Sequence, residues 1–204
     1  MRLGLLGPVR DEASSLEPAV EFLLHEESVG RVIYLGNDDA LDRCVEARAR
    51  KLVGEDPTDK GTWRRAVDLI SNGAPSEIDA FVARERERRQ LRRFESLPRP
   101  ALRTVEMIGD RLSVLIFDKS MLDEEDIFPA ALLFYGKSPG FLAKRIGTRW
   151  FVTPGTPSAE AGIVILEESG EDLVARFHSE TGNALAVERL PLAAAAKLKV
   201  QGGA

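Results

Sequence analysis

The side chains able to do acid–base, nucleophilic or metal chemistry are few and scattered. The chain of 204 residues holds two histidines, His25 and His178, and one cysteine, Cys44. A lone cysteine makes no internal disulfide and no cysteine-based zinc site, and it suits a reducing cytoplasm. Carboxylates cluster at Asn37-Asp38-Asp39 and at Asp123–Asp126. Neither run has the alternating oxygen ligands of a calcium loop, and both read as helix caps or solvated faces. Pro154-Gly155 could cradle a ligand or be only a type II turn. The densest charge is Arg84–Arg93, where six arginines and two glutamates give +4 and leave −9 on the rest of a chain whose total is −5. Bulk nucleic-acid binding is not expected of so acidic a remainder, but the arginines could meet an acidic protein patch.

A fold must position these groups. With 44% hydrophobic and 30% charged residues the chain can build a core. Apolar runs such as Pro129–Tyr135 are too short to span a bilayer, and the N-terminal run is much shorter than a signal peptide's. A cytoplasmic location with no membrane partner is expected. Leu3–Leu6 reads as a buried strand ended by Gly7-Pro8. Over Asp11–His25 the spacing of Leu16, Val20, Leu23 and Leu24 predicts a helix. Arg31–Leu35 reads as a strand broken by Gly36. Asp38 or Asp39 caps a short helix through Val45, and Lys51–Val53 reads as a third strand before Gly54. Thr62–Ile70 and Ser76–Glu95 are expected to be helices. Leu102–Ile108 and Leu112–Phe117 form a hairpin across Gly109-Asp110. A short acidic helix opens at Asp123–Asp126. Ala130–Tyr135 is apolar throughout, as a central strand is. Gly140–Ile146 reads as a helical turn and Trp150–Val152 as a strand. Ile163–Glu167, Asp172–His178 and Ala184–Leu190 form an antiparallel meander with turns at Ser169-Gly170 and Thr181-Gly182.

Four segments at strand ends carry a resemblance: the Met1–Gly7 strand, Val32-Ile33-Tyr34-Leu35-Gly36, Leu133-Phe134-Tyr135-Gly136 and Val152-Thr153-Pro154-Gly155-Thr156. In order and spacing they resemble the calcineurin-like metallophosphoesterase family in its small bacterial single-domain form. The resemblance runs from Met1 to about Leu190. It implies an α/β fold, a four-layer αββα sandwich of two mixed β-sheets. The sandwich domain would be 1–190, with a helical insertion over 58–100 and a C-terminal tail over 191–204. It also implies a site at the strand C-termini, where the family holds two metal ions.

The family's ligand motifs are missing. Asp-x-His after the first strand is Pro8-Val9-Arg10, and Gly-Asp after the second is Gly36-Asn37. Gly-Asn is matched by Gly54-Glu55, a strand-end histidine by Asp118-Lys119, and Gly-His-x-His by Gly136-Lys137-Ser138-Pro139. Two divalent cations about 4 Å apart clamp a phosphate and generate a hydroxide, which requires imidazole and carboxylate donors. Proline offers no donor, and arginine and lysine bring positive charge to the cations' place. No metal, no cofactor and no catalytic residue are therefore expected, and the chain reads as a pseudo-phosphoesterase acting as a binding or scaffold module. The family includes a retromer subunit that serves chiefly as a scaffold.

The replacements form a remnant cleft: Pro8, Arg10, Asn37, Glu55, Asp118, Lys119, Lys137 and Pro139. Its cations could neutralise Asp118 and Glu55, or they could hold an anion, making the chain a metal-independent enzyme or a sensor of a phosphate-containing small molecule. A second expected surface is the insertion, where Trp63, Phe81, Arg84, Arg88, Leu91 and Phe94 would present apolar anchors among arginines to a protein partner or a second copy. The alternative is that these anchors cover a sheet of their own domain.

Overall fold

The computed structural model describes residues 2–9, 16–26, 29–170 and 172–191. Its first sheet begins with β1 (Arg2–Leu6), α1 (Glu17–His25) and β2 (Arg31–Tyr34), a parallel crossover unit pairing Leu3 with Arg31 and Leu6 with Tyr34. The expected apolar face of α1 is the buried one: Leu16, Val20, Leu23 and Leu24. From β2 the chain passes through α2 (Ala40–Val53), α3 (Asp59–Asn72) and α4 (Pro75–Gln90). A 3-10 turn at Leu91–Arg93 then leads into β3 (Phe94–Ser96), which pairs parallel with β2.

Two expectations change here. Lys51–Val53 is the last turn of α2, because Leu52 continues the face of Cys44, Val45 and Ala49 that packs on the sheet. The helix stops at Gly54, whose φ of 91° suits glycine. The end of the expected insertion belongs to the sheet: β3 is its third parallel strand, and Leu91 and Phe94 are buried in the core beneath α1 and α2. A half-buried arginine fixes this corner. The Arg93 guanidinium donates to the carbonyls of Leu23 and Leu24 at 2.6 Å and of Val29 at 3.0 Å, satisfying the C-terminal carbonyls of α1.

The second sheet starts with β4 (Arg103–Ile108) and β5 (Arg111–Ile116), joined by Gly109 and Asp110, both at φ 55°. Two successive positive-φ residues match the twist of a tight hairpin. After α5 (Glu124–Ile127) come β6 (Leu132–Tyr135), β7 (Leu142–Ile146) and β8 (Arg149–Thr153). The Gly140–Ile146 segment is thus largely an edge strand, antiparallel to β8, not a helical turn. Its alternation of Leu142, Lys144 and Ile146 with Ala143 and Arg145 has the period of a strand, and Ala143 packs inward. The meander, β9 (Gly162–Ser169), β10 (Asp172–Ser179) and β11 (Ala184–Leu190), returns to the first sheet beside β1.

The sheet orders are β11-β10-β9-β1-β2-β3 and β4-β5-β6-β8-β7, both mixed. Between them lies a core of Leu3, Leu5, Ile33, Leu97, Leu115, Phe134, Val164 and Phe177. Helices α1 and α2 cover the outer face of the first sheet. Leu122, just before α5, packs on Val114, Ile116 and Leu133 of the second. The architecture is the α/β sandwich of two mixed sheets. Among the described residues, no helix is long and apolar enough to cross a membrane.

Candidate functional site

The C-terminal ends of β1, β2, β5, β6 and β8 converge on a cleft of about 280 Å³ lined by Pro8, Val9, Asn37, Phe117, Lys137, Ser138, Pro139 and Thr156. Backbone contacts lock these ends together. Lys137 N–H donates to the Phe117 carbonyl at 2.7 Å, and Thr156 N–H to Ser138 at 3.1 Å. Glycine makes the convergence feasible: a Cβ on Gly7 would lie 1.6 Å from the Gly155 carbonyl oxygen. Gly155, at φ 73°, is hemmed in from its other side by the Gly140 backbone. The Pro154-Gly155 pair is therefore more than a turn, since it is also where two loops meet.

A buried tyrosine organises the first two loops. The Tyr34 hydroxyl accepts from Val9 N–H at 3.2 Å and donates to Asp38 Oδ1 at 2.9 Å, an oxygen that also accepts from Ala40 N–H. Burial pushes the Tyr34 hydroxyl well above the ordinary tyrosine range, with the Asp38 charge acting in the same direction, so it stays a neutral donor.

Of the residues singled out in the sequence, Pro8, Asn37, Lys137 and Pro139 line the cleft. Asp118 lies next to Phe117, and its Oδ2 accepts from Lys137 Nζ at 2.5 Å. That bond, with Ser120 N–H donating at 2.9 Å, lowers the Asp118 carboxyl to about 2. Lys119 points elsewhere: its ammonium sits 5.0 Å from the Tyr135 ring centroid on the outer face of the second sheet. Glu55 is exposed and follows a helix, because the strand expected before it does not form. The strand that does follow β2 in the sheet is β3, and it runs into Leu97 and Pro98, which also offer no side-chain metal donor. Arg10 lies outside the described residues. Val9, Phe117, Ser138 and Thr156 were missed, since each reads in sequence as ordinary strand or turn.

The metal pair implied by the family resemblance does not fit the residues present. Among the described residues no group of three or more histidine, cysteine, aspartate or glutamate side chains could hold a metal ion. His25 is bonded to the Glu21 carbonyl on α1, and His178 lies against the Gly182 carbonyl and the Phe22 ring, both away from the cleft lining.

Asp118→Asn provides a check on the pair. Its folded pKa is below the ordinary aspartate value of about 3.9. The pair's stabilisation is therefore fully present above pH 4 or so and is lost as pH falls toward the folded value of about 2. With Lys137 64% exposed, the expected loss on substitution is below about 1 kcal/mol at neutral pH. The gap between wild type and variant should close in acid, as read by urea denaturation across that range.

No protein-family model matches the sequence, and no curated protein matches it. Its backbone is nevertheless similar to solved structures. A predicted phosphoesterase from Streptococcus pneumoniae TIGR4 is 12% identical at a TM-score of 0.50, over 93% of this chain and 98% of that one. Vps29 from Chaetomium thermophilum is 15% identical at 0.51, over 93% and 97%. An archaeal phosphodiesterase is 12% identical at 0.50, over 86% and 98%. These are calcineurin-like metallophosphoesterase folds, and the chain has that fold.

Proposed function

We propose that this chain is a cytoplasmic pseudo-phosphoesterase: a metallophosphoesterase fold whose remnant cleft no longer does metal chemistry and whose work is binding another protein. The observation that supports it is the chemistry of the cleft lining. Among the described residues, two prolines, a valine, a phenylalanine, a neutral amide and the hydroxyls of Ser138 and Thr156 stand with one cation that is already paired to Asp118. The likeness to Vps29, a vacuolar protein sorting protein by name, makes a non-hydrolytic use of the fold reasonable. The surface for binding is the α3–α4 hairpin, where Trp63 and Ile70 are 73% and 77% exposed.

Of the residues expected at that surface, Trp63 and Arg84 are exposed and Phe81 is half-buried. Leu91 and Phe94 are core, and Arg88 is buried in an ion network with Glu85 and Asp59.

Protein purified without chelator should contain no stoichiometric metal and should not hydrolyse generic phosphodiesters with added manganese. Two bound metals per chain, or turnover abolished by Asn37→Ala, would overturn the reading. Binding of inorganic phosphate lost in Lys137→Ala would instead favour a sensor of phosphate-containing molecules.

A further inference from the structure

The α3–α4 hairpin presents one apolar side with no partner among the described residues, and its charges are arranged to fit a copy of itself. Thr62 and Arg65 of α3 meet Glu85 of α4, and Asp59 meets Arg88, so the helices run antiparallel with these residues between them. Trp63, Val67 and Ile70 lie roughly 80–140° round α3 from Thr62, and Ile78 and Val82 lie roughly 20° and 60° round α4 from Glu85 in the same sense. In an antiparallel pair, rotations of the same sense bring both sets to one side of the hairpin. All five are exposed, from 36% at Val82 to 77% at Ile70.

The charges flanking this side are segregated along the hairpin. Asp79 stands toward its tip, and Lys60, Arg64, Arg86 and Arg89 toward its base, while Asp68, roughly 140° round α3 from Trp63, lies on the far side. Arg64 has one exposed contact, 3.7 Å from Asp56. Asp68, Asp79, Lys60, Arg86 and Arg89 make no ion pair among the described residues.

We propose that this side pairs with the same side of a second copy about a two-fold axis perpendicular to the hairpin. The acidic tip of each copy then lies on the basic base of the other, with the Trp63–Val67–Ile70 stripe between them. The proposal rests on reading the hairpin as the interaction surface. A parallel arrangement would set like charge on like, whereas a two-fold, self-complementary one satisfies both ends at once. The apolar side chains expose on the order of 500 Å² per copy, so a pair with its charged flanks reaches the lower end of specific interfaces. The expected dimer is therefore a reversible one.

Sedimentation equilibrium on the full chain tests it. Wild type should dimerise with rising concentration, and Trp63→Ser with Ile70→Ser should raise the dissociation constant at least about tenfold without moving the melting temperature. Two charge-reversed proteins decide the orientation. One carries Asp79→Lys, the other Lys60→Glu, Arg86→Glu and Arg89→Glu. Each should self-associate more weakly than wild type, and an equimolar mixture should pair again. Failure of the mixture to pair, or a dimer indifferent to Trp63→Ser with Ile70→Ser, overturns the proposal. A wild type that stays monomeric also overturns it. In that case the interaction-surface reading survives only if a host protein captured by wild type is lost with the Trp63 and Ile70 variant. If nothing is captured, both readings fall.

Discussion

Glu85→Ala is expected to cost about 3–5 kcal/mol of unfolding free energy, the largest effect of any single substitution considered for this chain. The carboxylate is 5% exposed and accepts three hydrogen bonds, from Arg65 Nη2 at 2.6 Å, Arg88 Nε at 2.7 Å and the Thr62 hydroxyl at 2.9 Å. Arg88 also donates to the Pro57 carbonyl and to Asp59, tying the start of α3 to the end of α4. Truncating Glu85 leaves the nearly buried Arg88 without its closest counter-charge. Burial pushes the Glu85 carboxyl up, but the bonds from Arg65, Arg88 and Thr62 more than offset this and leave it below the ordinary glutamate value. The sign follows. The contribution is fully present above the unfolded glutamate pKa of about 4.3 and is lost as pH falls through the lower folded value. Urea denaturation at neutral pH measures the cost, and repetition in acid should shrink the difference between wild type and variant. Replacing Glu85, Arg65 and Arg88 together by apolar residues of similar size should recover most of the loss, because breaking a buried pair costs more than never having it. If Glu85→Ala unfolds like wild type, the hairpin is not held by this network.

The second large effect is expected at the cleft. Gly155→Ala should destabilise by about 2–4 kcal/mol, combining the strain of a positive φ with overpacking. A Cβ there would lie 2.4 Å from the Gly140 carbonyl carbon and 2.7 Å from the Phe141 nitrogen, both backbone atoms that cannot swing aside. Gly170→Ala separates the two contributions. Gly170 has φ 64° but nothing within 4 Å of its Cβ position, so only the strain of about 1 kcal/mol remains. Equal losses at the two positions would show that the loops move apart readily and that their close approach is not structural. A much larger loss at Gly155 would show that the cleft is held shut by contact between the β8 loop and its neighbours.

How much of this was legible in the sequence depended on whether the deciding forces were local. The β4–β5 hairpin and the β9–β11 meander could be read because their turns demand particular residues and their strands alternate with period two. The buried face of α1 followed from helical spacing alone. That the resembling strand ends carry residues other than the family's ligands was equally plain, since a side chain that lacks a donor atom lacks it in any fold. The readings of Lys51–Val53 as a strand and Gly140–Ile146 as a helical turn fail because a short apolar or mixed run satisfies both periods. Packing chose between them: Leu52 continues the α2 face laid on the first sheet, and β8 offers an edge to β7. Tertiary structure alone also decided the fate of the charges. The Arg84–Arg93 run looks like a solvated helix face, yet Arg88 and Glu85 are buried and Arg93 holds the carbonyls of α1, while Arg86 and Arg89 remain exposed. Sequence records that a charge exists. Whether it is buried depends on counter-charges and carbonyls brought from distant positions, such as Arg65 to Glu85 and Leu23 to Arg93, and only the folded chain brings those together.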